Sequence, residues 1–229
     1  MKDRAIIFSD GASRGNPGRG GWGSILVENE FVRELGGHES NSTNNNMEMR
    51  ALLEALRMMK SESVLVFTDS SYLINGMTKW IFNWKKNDWK TKQNTEVLNR
   101  DLWEELYRLS EGRKVEYQHV KGHSGIPGNE RVDEIATIFA DKKEIKLFEG
   151  EIEDYRIDIL NTKVDPEKAN QKNRSKMKAY SYMSLIGGKV QRYKTWAECE
   201  AAIKGKANVK FRKSVSQIDE ELILKEWGV

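Results

Sequence analysis

This 229-residue chain predicts an α/β fold, a mixed five-stranded sheet flanked by helices and followed by a small ββαβα module. Three observations carry that reading. Short apolar runs of strand length come first, helix-length and strand-length patterns then alternate, and a polar, charged stretch near residue 170 separates this part from a second set of short elements.

Taken in order, Ala5 to Ser9 is an apolar run that ends at Asp10, and the glycines from Gly11 to Gly21 predict a loop. Trp22 to Val27 and Phe31 to Leu35 read as two strands joined by Glu28-Asn29-Glu30. From Met47 to Lys60, Met47, Ala51, Leu52, Ala55, Leu56 and Met59 recur at helical spacing, with Thr43 and three asparagines before them to cap the first turn. Val64 to Thr68 is a strand closing on Asp69, Ser70 to Met77 a helix, Leu98 to Leu109 another, and Val115 to Val120 the fifth strand. A helix from Asn129 to Ala140, with Val132, Ile135, Ala136 and Phe139 inward, ends a domain drawn at residues 1–142.

Residues 143–177 read as a connector. Its first half, with Leu147, Phe148, Ile152, Tyr155, Ile157 and Leu160, is apolar enough to pack on a neighbour, and its second half is a flexible linker. Residues 178–229 form the module: strands at Tyr180 to Leu185 and Lys189 to Lys194 around Gly187-Gly188, a helix opened by a Thr195/Glu198 capping box, a strand at Asn208 to Lys213, and a last helix from Ser216 to Trp227.

Composition excludes several classes. Charged residues reach 32% and no apolar run approaches bilayer-spanning length, so a soluble protein with no membrane partner is expected. The N-terminus lacks the apolar stretch and cleavage site of an export signal, which makes the cytoplasm the expected compartment. Cys199, the one cysteine, can form no internal disulfide and is expected to fill a small apolar space. Between Gln171 and Lys213, twelve Lys and Arg stand against Glu198 and Glu200, whereas the whole chain is only +3. That asymmetry points to a polyanionic partner.

Asp10, Glu48, Asp69 and Asp133 occupy four separate settings. Two close strand-like runs and two lie in the first turns of helices, so an α/β sheet could bring all four to one edge, where open sheets bind their ligands. Carboxylates about 6 Å apart repel by roughly 3 kcal/mol per pair at an effective dielectric near 20, and such a cluster calls for divalent ions.

The segments Asp10-Gly11-Ala12-Ser13-Arg14-Gly15-Asn16-Pro17-Gly18, Thr43-Asn44-Asn45-Asn46-Met47-Glu48, Thr68-Asp69-Ser70, Trp80-Ile81-Phe82-Asn83-Trp84-Lys85-Lys86, Val120-Lys121-Gly122-His123-Ser124-Gly125 and Asn129-Glu130-Arg131-Val132-Asp133-Glu134 resemble type I ribonuclease H, in order, across about 140 residues. The resemblance implies a ribonuclease H-like fold and endonucleolytic hydrolysis of the RNA strand of an RNA–DNA hybrid, leaving a 5′-phosphate and a 3′-hydroxyl. It also implies two Mg²⁺ ions, with Mn²⁺ as a substitute, one activating water and the other stabilising the departing oxygen. Asp10 would bridge them, with Glu48 and Asp69 on one ion and Asp133 on the other. His123 would move a proton near the leaving group or assist product release.

Asn16, Thr43, Asn44 and Asn45 are the implied readers of the hybrid, through 2′-hydroxyls in its wide minor groove and one DNA-strand phosphate. Ser71 stands where the best-known bacterial members carry glutamine. The tryptophan and lysine segment from Lys79 to Lys92 resembles the family's basic protrusion. Lys85 and Lys86 are its implied phosphate contacts, Trp80 and Trp89 further candidate substrate contacts, and Trp80 and Trp84 also fit a packing role. The last module is similar to the hybrid-binding domain of many relatives, with Trp196 to stack on deoxyribose and Arg212 and Lys213 to hold phosphates. Here Ser214-Val215 follows the basic pair in place of the usual aromatic residue. No obligatory protein partner is implied. Competing expectations are an exonuclease or strand-transfer enzyme on the same fold, or a non-catalytic hybrid-binding protein.

Overall fold

A long first strand organises the larger part of the molecule. β1 (Ala5–Gly15) pairs antiparallel with β2 (Gly18–Glu28), which pairs antiparallel with β3 (Phe31–Ser42); on its other side β1 runs parallel to β4 (Ser63–Thr68). β5 (Lys114–His119) extends the parallel side and a short β6 (Glu149–Glu151) the antiparallel side, giving the order β5-β4-β1-β2-β3-β6. The computed structural model describes residues 4–122, 125–164 and 177–229, which fall into two compact units, the described residues up to 164 and those from 177 onward.

The loop expected from Gly11 to Gly21 is instead ladder: Gly11 pairs with Trp22, Ala12 with Gly21 and Ser13 with Gly20. Gly15, with φ 118°, and Gly18 flank the hairpin turn at Asn16-Pro17, whereas Gly21 serves packing, since a Cβ there would meet the backbone of Ala136 and Ala140. A Cβ on Gly23 would come within 2.6 Å of the Val132 carbonyl oxygen, so this strand must be bare for a helix to lie on it. That helix is α5 (Pro127–Ala140), which packs on β1 and β2, while α1 (Asn44–Met58) and α4 (Arg100–Ser110) cover the opposite face. Alternation along β1 follows the pleat, with Ile7 in the core beneath α1 and Phe8 in the core beneath α5.

Caps explain where the helices begin. Thr43 Oγ1 accepts from Asn46 N at 3.3 Å, and α5 starts with Pro127 in its first turn. The helix expected from Ser70 to Met77 runs further, as α2 (Ser71–Asn75), a π-helical turn (Gly76–Trp80) and α3 (Ile81–Lys86). The wide turn shifts the helical phase, which hides the continuity from a 3.6-residue pattern.

The sixth strand comes from residues expected in the connector. β6 pairs with β3, and Phe148, Ile152, Tyr155, Ile157 and Ile159 join the core that holds Val132 and Phe8. Leu160, expected with them, is exposed.

The smaller unit has the expected ββαβα order. β7 (Ser181–Ile186) lies between β8 (Lys189–Tyr193) and β9 (Lys210–Ser214), both antiparallel to it; α6 (Trp196–Ile203) precedes β9 in the chain and α7 (Gln217–Trp227) follows it. Gly187 and Gly188 both have positive φ, as a tight hairpin turn requires. The Thr195/Glu198 capping box is formed, and Met183, Cys199 and Ile223 are buried. Among the described residues no helix is long and apolar enough to cross a membrane.

Candidate active site

Asp10 and Asp69 arrive by register. The parallel ladder between β1 and β4 ends at Phe8 opposite Phe67, and each aspartate lies two residues beyond, at matching positions where the strands part. Asp10 itself stays in β1, opposite Gly23. Gly11 brings the first turn of α1 against this point, because its missing Cβ would collide with the backbone of Met47 and Glu48. Glu48 thus stands over the strand end, and α5 carries Asp133 in its second turn across the same strands.

The side chains share one field. Asp10 is 8% exposed, and its pKa is pushed up to about 8, first by burial and then by the charges of Asp69 and Asp133, with a smaller push from Glu48. A hydrogen bond from Gly11 N at 2.7 Å works in the opposite direction. Glu48 rises to about 7, again mainly by burial, with the hydrogen bond from Ser70 lowering it and the charge of Asp69 raising it. Ser70 Oγ donates to Glu48 Oε2 and Asn44 Nδ2 donates to Oε1 at 2.8 Å, so both carboxylate oxygens are held.

Four carboxylates are hard oxygen donors of the kind Mg²⁺ takes. Burial and mutual repulsion make two of them reluctant to ionise without a cation, which is the electrostatic fit for such an ion. Among the described residues, no three Asp, Glu, His or Cys side chains already form a group that could hold a metal ion. The convergence is therefore one of shared field, and closure about an ion would need the side chains to draw together.

His123 lies outside the described residues. Its neighbour Gly122 abuts Asp69, where an added Cβ would overlap Oδ2. Of the implied readers of the hybrid, Asn16 and Asn45 are exposed and Thr43 and Asn44 partly so. Asn44 thus touches Glu48 while keeping an open face. Ser71 Oγ lies 3.4 Å from His119 Nε2.

The tryptophan and lysine segment is sorted by burial. Trp89 is only 8% exposed and belongs to the core beneath α1, so its expected contact with substrate is not supported by its position. Its backbone is left-handed (φ 58°), a conformation that no spacing pattern signals. Trp80 is 37% exposed, edge-on to Tyr72 and against Trp84. Lys86 is exposed, while the Lys85 ammonium sits 3.4 Å from the centre of the Tyr107 ring.

In the smaller unit Trp196 lies between Tyr182 and Phe211, at ring distances of 5.8 and 5.6 Å, and both Trp196 and Phe211 are exposed. Arg212 is ion-paired with Glu226, and Lys213 Nζ donates to the Met177 carbonyl. Sequence reasoning missed Tyr182 and Phe211, which alternation along β7 and β9 places beside Trp196. It also missed Ser70, whose position between Asp69 and a helix was the available signal.

The RNase H family model matches residues 2–140 of the chain. Ribonuclease H of Cupriavidus pinatubonensis (strain JMP 134 / LMG 1197) is 51% identical over 132 residues, which is 57% of this chain and 91% of that protein. Ribonuclease H of Francisella tularensis subsp. novicida (strain U112) is 48% identical over 136 residues, 59% of this chain and 90% of that protein. Among solved structures, LC9-RNase H1, described as a type 1 RNase H with the type 2 active-site motif, is similar with a TM-score of 0.58 at 26% identity, covering 72% of this chain and 87% of that one.

Proposed function

Since the chain belongs to the ribonuclease H family and is a ribonuclease H, we propose that it cuts the RNA strand of RNA–DNA hybrids internally, leaving a 5′-phosphate and a 3′-hydroxyl, at a site formed by Asp10, Glu48, Asp69 and Asp133. The observation that carries this reading is the strand register that brings Asp10 and Asp69 to one edge of the sheet, with α1 and Glu48 pressed against Gly11, so that a nearly buried Asp10 feels the charges of the other three acids. A site so arranged favours divalent cations, two Mg²⁺ ions in this proposal, with Mn²⁺ able to replace them. The chemistry such ions supply is neutralisation of the scissile phosphate and activation of the attacking water.

The chain's own groups do the rest. Gly11 N fixes one Asp10 oxygen, and Ser70 with Asn44 fixes Glu48, so these ligands are oriented before substrate arrives. Asn16, Thr43, Asn44 and Asn45 read 2′-hydroxyls and a DNA phosphate in the hybrid's minor groove, and Asn44 links that reading directly to Glu48. Lys86, with Lys85 and the exposed edge of Trp80, meets the DNA strand. His123 handles a proton at the departing oxygen or speeds product release. In the smaller unit, Trp196 with Tyr182 and Phe211 offers a stacking platform for the hybrid, and Lys213 and Arg212 lie near it in sequence.

The test is a hybrid labelled at the RNA 5′ end, incubated with the whole protein. Internal cuts that require Mg²⁺, carry 3′-hydroxyl ends by mass spectrometry and vanish in Asp10→Asn support the reading. Trimming from one end, or binding without cutting, contradicts it.

A further inference from the structure

The residues that follow α5 return to grip the helix that carries Asp133. Glu34 of β3 is the knot, with a side chain 1% exposed. It accepts hydrogen bonds from Arg131 Nε at 2.7 Å and Nη2 at 2.9 Å, from Tyr155 Oη at 2.6 Å and from Phe148 N at 2.9 Å. Arg131 lies on α5 two residues before Asp133, and its remaining Nη1 donates to Glu134, the residue just after Asp133, at 2.8 Å. One guanidinium thus spans the turn from which Asp133 projects.

The other side of the knot is equally tied. Glu34 N donates to Phe148 O at 2.8 Å, β6 pairs with β3, and the rings of Phe148 and Tyr155 lie 4.8 Å apart. Tyr155 and Ile159 are buried in the cluster that contains Val132 and Phe8. Val132 adjoins Asp133 in sequence, and Phe8 is two residues from Asp10. A buried carboxylate is tolerable only when its lone pairs are filled, and this one draws its partners from α5 and from the segment after it. Removing the Tyr155 hydroxyl leaves Glu34 Oε1 to Arg131 alone and unties the carboxylate that seats the guanidinium from the segment after α5 on that side.

We propose that residues 148–159 form a brace on α5, with Tyr155 and Glu34 as positioning residues that set where Asp133 enters the active site. The brace rests on the reading that Asp133 works in catalysis. It supplies alignment and touches neither substrate nor ion, and small displacements of a reacting group are enough to cost rate.

The experiment uses the full chain and compares Tyr155→Phe, Glu34→Gln, Asp133→Asn and Leu106→Val. The last is a buried change on the opposite face, a control that costs stability by truncating a core side chain without touching α5. Two readouts are taken on folded protein: kcat and KM on a defined hybrid at saturating Mg²⁺, and hydrogen exchange of residues 127–134 without metal. The expected result is a 3- to 10-fold fall in kcat with KM within twofold for Tyr155→Phe, a larger fall for Glu34→Gln, faster exchange of that first half of α5 in both, and no such change in Leu106→Val. Unchanged kcat and exchange in Tyr155→Phe and Glu34→Gln, or equal effects in Leu106→Val, overturn the brace. Full activity in Asp133→Asn sinks the reading beneath it instead, so the two failures are told apart.

Discussion

Replacing Asp10 with asparagine should make the metal-free protein more stable while abolishing its activity. The carboxyl is nearly buried, and its pKa rises from 3.8 to about 8 through burial and the charges of Asp69, Asp133 and Glu48. At ~1.4 kcal/mol per pKa unit, holding Asp10 charged costs the fold about 6 kcal/mol, and relaxation around the site reduces the recoverable part to about 2 to 4 kcal/mol. Asparagine keeps the size and can still accept from Gly11 N. A carboxyl whose folded pKa is raised binds more protons folded than unfolded between pH 4 and 8, so its penalty is absent below pH 4, grows with rising pH and is complete above pH 8. The advantage of Asp10→Asn should follow that curve. Urea unfolding with EDTA at pH 4, 6, 7.5 and 9, monitored at a probe in the larger unit, measures it. An asparagine variant less stable than the parent at pH 9, or a difference independent of pH, would refute the reasoning.

Three further outcomes are expected. Because protons and cations compete for Asp10 and Glu48, raised to about 8 and about 7, cleavage at low Mg²⁺ should climb through pH 7 to 8, and the midpoint should move down as Mg²⁺ increases; a midpoint indifferent to Mg²⁺ contradicts this. Gly122→Ala puts a methyl into Asp69 Oδ2 and should lower kcat by about tenfold or more with little change in melting temperature, as steady-state kinetics and calorimetry would show. Removing residues 178 to 229 should weaken hybrid binding and flatten its salt dependence, the log–log slope falling by slightly less than one for each phosphate no longer neutralised, while some cleavage persists; filter binding at several salt concentrations decides this.

Much of this molecule could be read from its residues, and the reasons for the exceptions are physical. Periodicity found α1, α4 and α5, because each buries one stripe against the sheet. The capping pair Thr195 and Glu198 marked the start of α6 to the residue. The glycines between Gly11 and Gly21 misled, since a bare strand pressed by a helix and a flexible loop have the same composition, and only the position of α5 separates them. The π-helical turn broke the phase of the helix after Ser70. The four acids were legible as separate local settings, whereas the register that places Asp10 and Asp69 side by side depends on strand pairing across 59 residues of chain. Trp89 sits among lysines in sequence, yet its ring lies in the core, a burial that composition does not reveal. The knot at Glu34 was invisible for a similar reason: its partners, Arg131, Phe148 and Tyr155, come from about 100 residues or more away.

Anomalous diffraction from crystals of the full chain equilibrated with Mn²⁺ puts the central claim to its most direct test. Two peaks bordered by the carboxylates of Asp10, Glu48, Asp69 and Asp133, both lost in Asp10→Asn, are the expected result. Peaks elsewhere on the molecule, or none at these carboxylates under conditions where the protein cuts hybrid, would contradict it.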